Sequence, residues 1–127
     1  MKPEDVSVLN LAFLGDAVYS VLVREYLVNR QDDPVAVLTS KTKKFVTAKA
    51  QAAFVHELTE EGFFTEEELS VIRRGRNAHK NSGAKNTDPA TYHTATGFET
   101  LIGYLYLKND RDRLGQIWDR IRTKSED

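Results

Sequence analysis

Two stretches of this chain are apolar around most of a helix's circumference, and each carries one carboxylate in its middle. Across residues 3–29, Leu11, Leu14, Val18, Val21 and Leu22 recur at helical spacing. A second stretch opens at Pro89 and Thr91 and repeats the pattern with Phe98, Leu101, Ile102, Leu105 and Tyr106. A surface helix needs only one apolar stripe. Both segments are therefore expected at the centre of the fold, with neighbours on several sides. The only acid in the apolar centre of the first is Asp16, and of the second Glu99.

The rest of the chain reads as shorter helices. Asp33 and Pro34 suit a helix start, followed by a short helix to about Ser40, with Thr42 as the candidate cap of a longer one through Ala48, Ala52, Val55 and Leu58. Glu61-Gly62 ends it, since glycine tolerates the left-handed position. Thr65 with Glu68 has the capping-box spacing, and that helix carries Leu69 and Ile72 inward. Residues 80–90, rich in Asn, Gly and Ser, form a loop, and Lys108-Asn109-Asp110 separates a last helix holding Leu114, Ile117, Trp118 and Ile121. No strand alternation or repeat interrupts this pattern. The expectation is one all-α domain over 1–127, an orthogonal bundle of five or six helices.

Composition narrows the chemistry. The chain has 127 residues and no cysteine, which excludes disulfides, thiolate metal sites and a cysteine nucleophile. The acidic start and the lack of a long apolar run predict a cytoplasmic protein without membrane spans. Eighteen basic and 19 acidic residues leave a formal charge of -1, so any polyanion contact must come from local patches. The richest comprises Arg73, Arg74, Arg76, Lys80 and Lys85, and a second comprises Lys41, Lys43, Lys44 and Lys49. Helix C-termini attract basic residues in any case, so a solvated face is the alternative.

Burying an unpaired carboxylate is costly, and aspartate is a poor helix-interior residue. Two such acids suggest a shared cation or a polar cleft between the two long helices. Carboxylate oxygens suit Mg2+, with Mn2+ as a substitute. Gly15 precedes Asp16, and Gly103 lies one turn after Glu99 on the same face, so close helix approach is expected there, with Gly97 a similar case. The alternative is two acids at helix edges, solvated or held by Arg or Tyr. Pattern alone does not name a reaction.

The segment Phe13-Leu14-Gly15-Asp16-Ala17-Val18 resembles the signature of the ribonuclease III catalytic domain, and Glu99-Thr100-Leu101-Ile102-Gly103-Tyr104-Leu105-Tyr106-Leu107 resembles its second acidic motif. With Arg73-Arg74-Gly75-Arg76-Asn77-Ala78 and Ala95-Thr96-Gly97-Phe98-Glu99, the ordered set is closest to the bacterial Mini-ribonuclease III family, and the likeness runs from about Leu9 to Leu107. The resemblance implies a homodimeric endonuclease without a double-stranded-RNA-binding domain. It implies Mg2+-dependent cleavage of both strands of duplex RNA to 5′-phosphate and 3′-hydroxyl ends, in maturation of the 23S ribosomal RNA precursor, with ribosomal protein L3 as a partner. It assigns Asp16 and Glu99 as catalytic, metal-linked carboxylates and Phe13 as an aromatic that plugs into the second subunit.

The chain departs from full-length ribonuclease III, which has four acids per site. Ala12 stands where the larger enzymes have glutamate and Thr96 where they have aspartate, as in Mini-ribonuclease III itself. Two carboxylates would hold one ion mostly through water. Thr100 replaces a usual alanine, and Ser20 a common acid. Arg73, Arg74, Arg76, Asn77, Lys80 and Lys85 are the candidate RNA contacts, with a C-cap as the plainer role for Asn77. His79 and His93 are candidate phosphate-contact and helix-start residues. Trp118 is assigned to packing. Two rivals stand beside this reading: a non-catalytic RNA- or ribosome-binding helical dimer, and a helical nucleotide pyrophosphohydrolase, which needs more clustered acids.

Overall fold

The computed structural model describes residues 1–78 and 88–125. Lys80, Lys85 and His79 lie outside the described residues. A single 3-10 turn, Pro3–Asp5, precedes α1 (Val8–Arg30), α2 (Val35–Val46), α3 (Ala48–Glu60), α4 (Glu66–Arg76), α5 (Pro89–Leu107) and α6 (Arg111–Lys124). Every regular element among the described residues is helical, as the periodicity predicts. No helix among them is long and apolar enough to cross a membrane.

The helix ends follow from local chemistry. Ser7, Thr47, Thr65, Asp88 and Asp110 each turn a side-chain oxygen onto a free N–H of the first turn. Thr65 and Glu68 complete the expected capping box. Gly62 adopts φ 68° after α3, and Asn109 takes φ 63° between α5 and α6, a conformation asparagine tolerates better than most residues. Two boundaries differ from expectation. Asp33 caps nothing and instead pairs with Lys41 at 2.6 Å. The first short helix runs on to Val46, and Thr47, not Thr42, opens the next one, because its hydroxyl accepts Ala50 N–H.

α5 is the central element, packed against α1, α3, α4 and α6. Phe98, Leu101, Ile102 and Leu105 are buried in it. An aromatic cluster joins the ends of the fold: Tyr19 meets Phe98 edge-on at 4.9 Å, and Trp118 packs on Tyr19, Tyr26 and Phe45. Burial pushes the Tyr19 phenol up from its ordinary value, and its hydroxyl donates to the Phe45 carbonyl at 2.9 Å. Glu68 does more than cap α4. Burial would raise its carboxyl, but Arg113 and the Thr65 N–H hold it below its ordinary value. Arg113 grips it through Nε at 2.7 Å and Nη2 at 2.8 Å and also reaches the Phe63 carbonyl, which ties α6 to α4.

α1 differs from the expectation of neighbours all round. Its inner face carries Leu11, Tyr19, Val23 and Leu27, but Leu9, Phe13, Val21 and Val28 are exposed, Phe13 to 84%. Within the single chain Phe13 is therefore not a core residue.

Candidate active site at the crossing of the two long helices

Asp16 and Glu99 meet because glycines let α1 and α5 touch backbone to backbone. A Cβ on Gly15 would lie 2.8 Å from both the Glu99 carbonyl carbon and the Gly103 nitrogen, and closer still to the Glu99 oxygen. A Cβ on Gly103 would meet the Leu11 carbonyl in the same way. The crossing thus seats the residue after Gly15 beside the side chain of Glu99. A second glycine crossing holds α4 to α5: a Cβ on Gly97 would lie 3.0 Å from Ile72 Cγ2, and one on Gly75 would lie 2.7 Å from Thr100 Cβ. Thr100, fully buried, turns its hydroxyl back to the Thr96 carbonyl at 2.8 Å.

The two acids are not equivalent. Asp16 is exposed, whereas Glu99 is partly buried. The expectation of two buried acids is therefore met in part by Glu99 and not by Asp16. Burial, then the neighbouring Asp16 carboxyl through a hydrogen bond and through its charge, pushes Glu99 up to about 8, while Gln51 pulls it down. Two carboxyls this close share a proton readily, and a divalent cation can replace that proton. The donor set of hard oxygens fits Mg2+ or Mn2+. Among the described residues no group of three or more acids, histidines or cysteines could hold a metal, so most of the ion's ligands would be water.

The sign of the pH dependence follows from the raised value. Between the ordinary carboxyl range and about 8, folded Glu99 keeps a proton that the unfolded chain has released. Stability of the metal-free protein therefore falls as pH rises through that window. Glu99→Gln is neutral throughout and escapes the loss. Its melting temperature should match wild type near pH 4 and exceed it by roughly 10 °C at pH 8, read by circular dichroism in chelator. Equal melting temperatures at both pH values would refute the raised carboxyl.

Gln51 of α3 was not among the residues singled out from the sequence, yet it completes this site. It is 1% exposed, and its amide nitrogen reaches the Val46 carbonyl at 3.3 Å and Glu99 Oε2 at 3.5 Å. The available signal was a polar side chain one turn before Val55 on the inward face of α3.

The other candidates among the described residues lie at the C-terminal end of α4. Arg73, Arg74 and Arg76 are exposed on the last turn of α4, and Asn77 is its C-cap. Arg73 and Arg76 line one shallow groove with His56 and Thr94. Arg76 and Asn77 line the adjoining one with Thr91 and His93. Both run along the first turns of α5, the helix that carries Glu99. Arg74 lies outside either lining. Lys44 donates to the Ser125 carbonyl at 3.1 Å and lines a separate groove with Tyr26 and Arg30.

Comparison with known proteins places this arrangement in context. The family model of the ribonuclease III domain matches residues 9–110. A Mini-ribonuclease 3 of Clostridium tetani is 46% identical over 86% of this chain and 72% of its own length. One from Symbiobacterium thermophilum is 44% identical over 91% of this chain and 88% of its own. The crystal structure of a Fusobacterium nucleatum protein superposes with a TM-score of 0.87 at 25% identity, covering 98% of this chain and 99% of that one.

Proposed function

Because the chain belongs to the Mini-ribonuclease 3 family and is a ribonuclease of the ribonuclease III type, we propose that it hydrolyses both strands of double-stranded RNA at the α1–α5 crossing, using Asp16 and Glu99 with Mg2+. The observation that carries this reading is the convergence of those two carboxyls, one exposed and one partly buried, across the Gly15 contact. The products are 5′-phosphate and 3′-hydroxyl ends: water adds at phosphorus and the bond from phosphorus to the 3′ oxygen breaks.

Asp16 and Glu99 would hold the cation. When bound, Mg2+ supplies Lewis acidity toward a phosphoryl oxygen and lowers the pKa of coordinated water. The chain's own groups do the rest. Glu99, partly buried and within reach of the Gln51 amide, sets the position of the site, and Asp16 faces solvent where a phosphate can approach. Arg73, Arg74, Arg76 and Asn77, with Lys80 and Lys85, bind the RNA backbone. Duplex RNA is recognised by shape and phosphate contacts, since its major groove is too narrow for side chains.

One active site reaches one strand, so cutting both requires two subunits. The exposed apolar residues of α1, Phe13 the most exposed of them, form the surface proposed for the homodimer. Phe13→Asp should convert a dimer of wild type into a monomer on sedimentation. A wild type that sediments as a monomer would end this part of the proposal. The physiological setting inferred from the family is cytoplasmic maturation of 23S ribosomal RNA, with ribosomal protein L3 as a partner.

A long RNA duplex incubated with and without Mg2+, with product ends mapped, tests the central reading. Absence of cleavage by a folded protein would favour a non-catalytic RNA binder. Arg76→Ala should weaken duplex binding equally for unrelated sequences and lower the slope of log K against log salt by about 1. An unchanged slope would remove Arg76 from the RNA path.

A further inference from the structure

We infer that Gln51 is a positioning residue that fixes the Glu99 carboxylate for cation binding, anchored on the carbonyl exposed by the α2–α3 break. This inference rests on the assignment of Asp16 and Glu99 as the metal-linked pair.

Three features carry it. First, Gln51 is a buried polar side chain at an inward position of α3, at 1% exposure. Such a group costs stability unless its hydrogen bonds are made, and an apolar residue of similar volume would fill the place more cheaply. Second, the partner on one side is a backbone atom held in place. Thr47 interrupts the helical run between α2 and α3, and its hydroxyl takes the Ala50 N–H. The Val46 carbonyl at that break accepts the Gln51 amide at 3.3 Å. Third, the same nitrogen lies 3.5 Å from Glu99 Oε2, so one amide bridges a fixed backbone oxygen and a carboxylate on another helix. That distance is at the long end of a hydrogen bond, so the amide orients the carboxylate without a tight grip on it.

The chemistry suits the role. An amide N–H2 donates twice and carries no charge, so it can orient a carboxylate without competing for it as a lysine or arginine would. Partners in the layer behind metal ligands typically influence affinity or activity by 10–100-fold. Here the need is greater because positions 12 and 96 are Ala12 and Thr96, so the site lacks further carboxylates there to fix Glu99. Gln51 cannot touch RNA, since it is enclosed, and its effect must pass through Glu99.

The alternative is that Gln51 merely seals the helix break. Gln51→Met, close in shape but without donors, separates the two. Affinity for Mn2+ alone, measured by calorimetry on the folded protein, should fall about tenfold. The kcat for a long RNA duplex should fall by a similar factor with KM unchanged. In a Glu99→Gln background the same substitution should leave residual Mn2+ binding unaltered. A lower melting temperature with unchanged Mn2+ affinity and kcat would overturn the inference and leave a sealing role only. Should Gln51→Met fail to fold, the wild-type protein still decides: the Gln51 side-chain amide signals, assigned by NMR, must shift on Mg2+ titration with the midpoint of the Glu99 carboxyl carbon. Amide signals that stay still would overturn it. If Asp16→Asn leaves cleavage intact, the two-carboxylate reading itself is wrong and the inference falls with it. If Asp16→Asn abolishes cleavage and Gln51→Met changes nothing, only the role of Gln51 is lost.

Discussion

Asp16→Asn should abolish cleavage of duplex RNA, by about a thousandfold or more in kcat, while leaving the fold and the binding of uncut duplex in place. The substitution keeps size and shape but removes the exposed member of the carboxyl pair. Two hard anionic ligands then become one, and a largely hydrated divalent ion is no longer held beside the phosphate. Asp16 is exposed and is not needed by the core, so the variant should melt no lower than wild type. Removing its charge also relieves part of what pushes Glu99 up, which adds to the stability of the metal-free protein at pH 8. Raising Mn2+ should restore part of the activity, since a lost ligand lowers affinity and mass action refills a weakened site. Cleavage at wild-type rate by folded Asp16→Asn would exclude the two-carboxylate mechanism outright. Gel-resolved cleavage of one long duplex, beside circular dichroism and filter binding in chelator, reads all three quantities.

Gly15→Ala should be strongly damaging, since among the described glycines it is the one whose added carbon makes the shortest contact. The new carbon would fall 2.8 Å from two backbone atoms of α5 and nearer still to the Glu99 oxygen, below the 3.0 Å that real Cβ atoms keep. Neither helix backbone can yield as a flexible side chain would. The helices must part at the crossing, and overpacking of this kind costs about 3 kcal/mol or more. For a domain of this length that is a loss of roughly 10 °C or more in Tm. What folds should also have lost activity, because the same separation draws Asp16 away from Glu99. Gly115→Ala is the matched control: nothing lies within 4 Å of its added carbon on α6, and replacing a mid-helix glycine there should gain about 0.5–1 kcal/mol. A Gly15→Ala protein as stable as Gly115→Ala would contradict the backbone contact.

The glycines show where sequence reasoning reaches. A glycine in the middle of an apolar helix is disfavoured by propensity, so its presence beside Asp16, and one turn after Glu99, already demanded a close approach. The partner of each contact could not be read that way. Gly75 was passed over because it sits among arginines at a helix end, yet it lets α4 reach Thr100, the neighbour of Glu99. Gln51 was missed for a similar reason. One polar residue in an amphipathic helix is ordinary until the chain is folded and the Val46 carbonyl and Glu99 are seen to share it. The helix boundary at Thr47 escaped because Thr42 and Thr47 are equally good caps in isolation.

Periodicity and residue type alone require a helical chain, two long helices that carry the acids, and a close approach of those helices through glycine. These are properties of spacing and of residue type, and both are local. It took the packed fold to turn Asp16 to solvent while half-enclosing Glu99, to leave apolar residues of α1 uncovered, and to bring the α3 amide behind Glu99. Those outcomes depend on which faces of several helices are pressed together. A helix of given periodicity can be rotated and paired in many ways, and the burial of its neighbours selects one.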